Sequence, residues 1–547
     1  MHRTMLRVFA GLVFGLAACS PPPKAAMQGG VSSITASELY THLSFLAADS
    51  LAGRDTGSPG LERAAVYIAA ELRRLGLQPL PASGSYFQPF ALISRQLTPA
   101  TKVTVRAMGE SVEFDFLEDF FLYSQEELQG EGVTITGKVA FVGYGITAPE
   151  YDYDDYAGLE VKGKIVLAMR EEPQTADTSA RFAGSETTRY SYLSAKAAAA
   201  RAAGAAVLIL VTAPSDSGPE FRTEFQPYLE YLAEPRMRLA DKPEEKKEGT
   251  GLHVLIADTS LASALLRGSG KTLVQLQGEI DRTGRPHSFV SEAEATLTIA
   301  MVQRRLQAPN VIGWLRGGDP RLKHEAVVYS AHLDHVGRNA RGEIFNGADD
   351  DASGSSALLE IAEAFAQGRR PPRRSVLFIW FAGEEKGLLG SEYYTAHPVF
   401  PLAQTVANLN MDMVGRVRVP GDSNPKNAGL AEAHTVYVVG GHQNRALREL
   451  NEASARQVGL VCDYRYGDPN HPKKLYYRSD HYNFARHQVP VLFFTTGEHE
   501  DYHKPTDDVD KINFSKLQRV AQMAYLTGWQ VANQTQRLPP NPAPASP

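Results

Sequence analysis

Cysteine is nearly absent from this chain. Its 547 residues hold two, Cys19 and Cys462, and with Cys19 modified, as argued below, no intrachain disulfide is possible. An excess of positive charge is missing too. The 56 Lys and Arg stand against 62 Asp and Glu, a formal net charge of -6, so nothing is set to neutralise a phosphate backbone and a nucleic-acid partner is not expected. No internal repeat is visible. The one apolar stretch at the N-terminus, Val8 to Ala18, is too short to span a bilayer as a stable helix. What remains is a long chain, 43% hydrophobic, with material for a large core and for more than one globular domain.

The first residues read as an address. Arg3 and Arg7 give a positive start, the short apolar stretch follows, and Leu16-Ala17-Ala18-Cys19 closes it. The tetrapeptide resembles a bacterial lipobox, which implies cleavage after residue 18, a lipid on the Cys19 thiol, and an exported protein anchored to a membrane. Ser20 resembles the sorting pattern of Gram-negative outer-membrane lipoproteins facing the periplasm. Residues 19–34 then read as a tether, flexible from Pro21 to Gly30. Cys462 has no partner histidine in VGLVCDYRY and reads as an inert thiol.

Three textures follow. Residues 35–99 give two helical stretches around a Gly/Pro loop, the second running from Leu61 to Leu75 with a clear apolar face. Residues 100–290 change to short β-type runs such as GKVAFVGYGI and GKIVLAMREEP, with one Ala-rich helix, SAKAAAARAAGAA, leading into the strand VLILVT. Residues 291–535 alternate strand and helix: AVVYSAHLDH, SSALLEIAEAFAQG, SVLFIWFAGEE, TVANLNMDMVG, ALRELNEASARQVG and VPVLFFTTGE. Apolar strands separated by helices predict an α/β domain, a mostly parallel sheet covered on both faces. The Pro-rich tail, 536–547, reads as disordered.

Each of these strands ends in polar chemistry: His332 and Asp334, Glu384 and Glu385, Asp412, then the segment GEHEDYH. Open α/β sheets bind ligands at the carboxyl ends of their strands. Adjacent carboxylates leaving an apolar strand repel each other and lose hydration unless a cation or a proton offsets them. A further acidic loop, NGADDDASG, carries Asp349, Asp350 and Asp351. One acidic strand end is ordinary; four converging on one sheet edge with an imidazole point to a metal. Imidazole and carboxylate without thiolate suit zinc, with manganese or cobalt compatible, and the number of carboxylates suggests two ions.

SAHLDHVG, NGADDDASG, AGEEKGLLGS, NMDMVG and YHKPTDD, in this order, resemble the metallopeptidases of family 28, co-catalytic di-zinc aminopeptidases. The β-rich unit at 100–290 is similar in pattern and position to the protease-associated domain that some members carry as an insertion. Carried over position by position, the resemblance implies that Asp350 bridges two zinc ions, that His332 and Asp412 complete one site, and that Glu385 and His503 complete the other. It implies Asp334 as the carboxylate orienting the His332 imidazole, Glu384 as general base for a water that both zinc ions activate, Tyr502 as a hydroxyl aiding the oxyanion, and a cis peptide after Asp350. The substrate implied is a peptide with a free N-terminus.

Other residues read differently. His499-Glu500-Asp501-Tyr502-His503 matches H-E-x-x-H formally, but that motif needs a helix, and Gly497 before it and Pro505 after it predict a loop. His335, His481 and His487 read as structural histidines, and Arg369, Arg370, Arg373 and Arg374 as a solvated turn. Arg478 is a candidate for gripping a substrate carboxylate, which would make the enzyme a carboxypeptidase or dipeptidase on the same metal frame. A receptor-like binding protein without catalysis is the alternative of another class, and a complete ligand set with an added base argues against it.

Overall fold

In a computed structural model, residues 24–123, 132–173, 182, 187–212, 214, 220–243, 251–339 and 341–542 are described. Cys19 and the leader lie outside them. Among the described residues no helix is long and apolar enough to cross a membrane. The chain divides into two compact units, Leu92–Leu306 and a second built from the segments before and after it. The first unit thus extends beyond 100–290 at both ends. The strands Phe87–Leu97 and Phe289–Leu315 run through the boundaries, so no turn marks them in the sequence.

In the unit outside Leu92–Leu306, seven strands lie in the order Val461–Asp463, Thr435–Val439, Val491–Thr495, Thr405–Met411, Ala326–His332, Ser375–Phe381 and the C-terminal end of Phe289–Leu315. The middle four are parallel, and antiparallel pairs flank them. The four parallel strands are fully buried along their length, as their unbroken apolar runs require. Alternation along each strand sends side chains to opposite faces. Tyr329 and Phe378 stack on one face with Phe365 nearby, and Phe365 meets Tyr525 and Trp529 of the helix Phe514–Asn533. Val328, Leu377, Ile379 and Phe493 join the opposite core with Tyr394 and Phe484.

The helices start where short polar side chains accept from free backbone N–H groups. Thr35 accepts from Glu38 ahead of Ala36–Leu46, and Ser58 from Leu61 ahead of Pro59–Arg74, whose Pro59 needs no donor there. Gly354–Ala366 carries almost no exposed residue and packs against Ala36–Leu46 and Phe514–Asn533.

Leu92–Leu306 is less purely β than its texture predicts. Its core is a parallel set, Gly132–Phe141, Ile165–Met169, Val207–Val211 and His253–Ala257, with the helices Leu193–Ala202, Thr259–Leu265 and Leu273–Thr283. Buried Asp155 ties one turn, accepting from the Tyr144 and Ile146 N–H groups and the Tyr153 hydroxyl.

Two stretches depart from expectation. The composition reads Pro21 to Gly30 as a flexible tether, yet Lys24–Ser33 is a helix, packed on Gly354–Ala366 and Phe514–Asn533. The Val31 carbonyl accepts from Gln522 at 3.0 Å, and Gly30 lies so near the Tyr525 ring that a Cβ would overlap it. Paired glycines lower helix propensity, and tertiary packing overrides that here. Likewise 536–547 reads as disordered, yet Leu538 and Asn541 are buried. The Asn541 N–H donates to the Gln488 carbonyl and the Asn444 amide to Pro539. A Pro-rich segment has few donors of its own, and here neighbouring groups satisfy it.

Candidate metal centre

The carboxyl ends of the four parallel strands deliver the polar residues to one place. Ala326–His332 ends on His332, Thr405–Met411 hands over to Asp412, and Ser375–Phe381 passes through Gly383, at φ 76°, to Glu384 and Glu385. Positive φ at a glycine lets the chain turn sharply where a side chain would be strained. After Val491–Thr495, Gly497 at φ 94° begins the loop to His503.

Two groups of potential ligands form. His332, Glu384 and Asp412 bring ligand atoms within 4.8 Å of one another, and so do His335, Asp350, Glu385 and His503. His332 Nε2 lies 3.2 Å from Asp350 Oδ1 and 3.5 Å from Asp412 Oδ1. His503 Nε2 lies 3.2 Å from Asp350 Oδ2 and 3.1 Å from Glu385 Oε2. Asp350 therefore turns one oxygen toward each group.

Only the middle aspartate of its loop faces inward. Asp349 Oδ1 accepts from the Gly415 N–H and its Oδ2 lies 3.4 Å from His499 Nε2, while Asp351 accepts from the N–H groups of His332, Gly354 and Met413. Asp507 Oδ2 accepts from the N–H groups of Asp349 and Asp350 and so holds the loop. The Asp350–Asp351 peptide is cis.

Burial and crowding set the proton balance. Burial raises Asp350, yet His335, His332 and His503 hold it well below the carboxylate range. Burial also raises Glu385, and after the repulsion of Asp350 it is His503 and His335 that bring it down to about 2. Glu384 goes the other way: burial, with Asp412, Glu385 and Asp480, lifts it well above its ordinary value against the pull of His332. Burial, followed by the negative charge of Asp350 and Glu385, also pushes the Tyr502 phenol up. The Tyr502 ring stacks on His503 with centroids 4.0 Å apart.

Asp334 acts differently from its expected role. The His332 Nδ1 lies 3.0 Å from the Asp334 backbone carbonyl and 3.9 Å from its carboxylate. The carboxylate instead accepts from the Thr56 hydroxyl at 2.7 Å and the Glu384 N–H at 3.2 Å. The backbone carbonyl two residues on reaches Nδ1 first, leaving the side chain to hold the loop that carries Glu384.

The sequence also undervalues His335. Its Nδ1 lies 2.8 Å from Glu385 Oε1 and its buried Nε2 has no hydrogen-bond partner. Its place three residues after His332, beyond the strand end, gives no face rule that could have marked it. Asp412 is gripped by a chain of donors equally hidden from the sequence: Asn408 donates to Ser330, Ser330 to Asn410, Asn410 to Ser479 and Ser479 to Asp412 Oδ2. Arg54 lies fully buried, donating to the carbonyls of Leu333, Leu46, Asn346 and Gly347.

The remaining candidates fall away from the two groups. The segment from His499 to His503 forms turns with no helix, and of its two histidines only His503 joins a group. His481 stacks on Phe493 and His487 is exposed on a turn. Arg373 pairs with Asp319 and Arg374 with Glu325. Burial raises the Cys462 thiol to about 11, the reverse of what a nucleophile needs.

The donor set fits two metal ions. Nitrogen and oxygen ligands without sulfur converge from two sides on a shared carboxylate, and an imidazole nitrogen among them lacks any other partner.

Residues 310–527 match the model of peptidase family M28. Aminopeptidase YwaD of Bacillus subtilis is 27% identical over 247 residues, 43% of this chain and 47% of its own length. An aminopeptidase of Pseudomonas aeruginosa is 26% identical over 267 residues, 44% of this chain and 45% of its own. The matched region thus spans about half the length of these relatives. In fold, the chain resembles the aminopeptidase from Aneurinibacillus sp. strain AM-1, with a TM-score of 0.54 at 21% identity, covering 94% of this chain and 98% of that one. The segment that matches peptidase family M28 holds the whole candidate ligand set, from His332 to His503.

Proposed function

We propose that the chain is a two-zinc exopeptidase that removes N-terminal residues from peptides. The observation that carries the reading is Asp350, which turns one carboxylate oxygen to each of two ligand groups with Glu384 beside them. His332, Asp350 and Asp412 would hold one zinc ion, and Asp350, Glu385 and His503 the other. Bound there, the two ions would polarise the scissile carbonyl and lower the pKa of a water.

Glu384 takes a proton from the attacking water and returns it to the leaving nitrogen, a role that suits a carboxylate whose pKa is lifted by burial. The Tyr502 hydroxyl, kept protonated, donates toward the developing oxyanion. Asp334 holds the Glu384 backbone through its N–H, and His335 steadies Glu385. The similar aminopeptidases of B. subtilis and P. aeruginosa support the reaction class.

Lipid anchoring at Cys19, with the protein on the outer membrane facing the periplasm, rests on the leader and on LAAC. Cys19→Ser is expected to move the protein from the membrane to the soluble fraction. The segment Leu92–Leu306 is assigned to the protease-associated class on its position within the peptidase sequence.

The test is mass spectrometry of peptides with free and acetylated N-termini, with and without a chelator. Stepwise loss of N-terminal residues from the free peptides alone, stopped by the chelator, is the expected result. Trimming from the C-terminus would replace it with the carboxypeptidase reading. No cleavage with zinc bound would leave the binding protein.

A further inference from the structure

Two loops at the amino ends of the parallel strands gather positive charge. The loop from Arg316 to Glu325 leads into Ala326–His332, and the loop from Gly368 to Arg374 leads into Ser375–Phe381. They are bonded to each other: the Gly318 N–H donates to the Pro372 carbonyl at 2.8 Å and the Asp319 N–H to the Arg373 carbonyl at 3.2 Å. Their two acids are already engaged, Asp319 by Arg373 at 2.7 Å and Glu325 by Arg374 at 2.6 Å. Arg316, Arg321, Arg369 and Arg370 are exposed and have no acidic partner among the described residues. In a chain of net charge -6, four uncompensated guanidinium groups at one end make a local field of the opposite sign.

The N-terminus arrives at the same end. The Arg374 N–H donates to the Ala532 carbonyl at 2.9 Å, so the basic loops meet the C-terminal end of the helix Phe514–Asn533. Lys24–Ser33 runs antiparallel to that helix, because the Ile34 carbonyl accepts from Gln518, the Val31 carbonyl accepts from Gln522, and Gly30 lies against Tyr525. At 1.5 Å per residue, Lys24 lies about 9 Å beyond Gly30 in the direction of Ala532. Cys19 comes five residues earlier, and five residues reach at most about 18 Å. A lipid on Cys19 therefore holds a bilayer within reach of the basic loops.

We infer that this end of the molecule is a docking face for anionic phospholipid headgroups, fixing how the anchored protein lies on its membrane. Ala326–His332 and Ser375–Phe381 begin at this face and reach the candidate metal centre about 20 Å later. The centre is thus turned away from the bilayer and stays open to peptides in solution. The orientation rests on the lipid-anchor reading, whereas the attraction of the face for anionic lipid does not need the lipid on Cys19.

The test sediments the mature chain from residue 19 onward, carrying Cys19→Ser so that no lipid is attached, with vesicles of phosphatidylcholine or of phosphatidylglycerol. Binding to phosphatidylglycerol alone, weakening as salt rises, is the expected result. A basic side chain near an anionic surface is worth roughly fivefold in binding, so combining Arg316→Gln, Arg369→Gln and Arg370→Gln should weaken it by roughly 100-fold. The same variant should keep its rate on soluble peptides. Taking equal charge from other exposed positions, with Arg282→Gln, Arg304→Gln and Arg445→Gln together, should weaken binding far less. No binding to phosphatidylglycerol, equal binding to both lipids, or an equal loss in the two triple variants would overturn the docking face. Retained vesicle binding in a chain whose Cys19 proves unlipidated would discard the anchor and uphold the face.

Discussion

Single residues divide here by what they touch. On the proposed reading Glu384 is the general base, so Glu384→Gln is expected to keep zinc and lower kcat by roughly 10²- to 10⁴-fold, the usual worth of such a group. Asp350→Ala removes a ligand from both groups and should lose the metal, which elemental analysis of the purified variant reads directly. Thr56 belongs to neither ligand group, yet its hydroxyl satisfies Asp334. Thr56→Val leaves a buried carboxylate short of a donor, expected to destabilise the fold by about 1–3 kcal/mol. Through the Glu384 N–H it should also slow turnover with zinc content unchanged. Denaturant titration, metal analysis and steady-state rates on one preparation separate these effects.

At the scale of elements, the helix Gly354–Ala366 carries a titration far from the metal. Glu360 is buried, accepts from the Thr35 N–H and lies 3.6 Å from His42. Burial, reinforced by Glu38 and Glu363, raises it to about 8. The folded state therefore holds this proton where the unfolded chain has released it. The associated stability is fully present below the unfolded value near 4.5 and is lost as pH rises through about 8. Glu360→Gln keeps an acceptor without the charge. Its melting temperature should equal the wild type's near pH 5 and exceed it by pH 9; a gain independent of pH would refute the account.

The four parallel strands and the helices Gly354–Ala366 and Arg445–Gln457 were legible because long apolar runs and helical periodicity survive in any context. The convergence of polar residues at the strand ends was legible for the same reason: a polar residue directly after a buried strand has few places to go. Lys24–Ser33 and the segment around Leu538 were not, because what orders them lies hundreds of residues away in Phe514–Asn533 and near Gln488. The true hold of Asp334 was hidden too, since Thr56 comes from a loop 278 residues earlier.

For the whole molecule, a ligand bound only by the folded chain adds stability by mass action. Zinc at a hundred times its Kd should contribute about 2.7 kcal/mol, and removing it with a chelator should lower the melting temperature by a few degrees. Asp350→Ala should show the lower temperature with or without chelator. A wild type indifferent to chelation would mean that the centre holds no ion.

The chain leaves one compact unit at Leu92 and returns to it after Leu306, and this sets an order of events during synthesis. The helix Ala36–Leu46 emerges early with Leu39, Leu43 and Leu46 to bury, but Gly354–Ala366, on which it packs, comes some three hundred residues later. At about 5–20 residues per second, a newborn helix waits roughly 15 to 60 seconds with its apolar side uncovered. The intervening segment, which has a core of its own, can fold in that interval. The helix Ala36–Leu46 is thus among the first elements made and among the last to find its place.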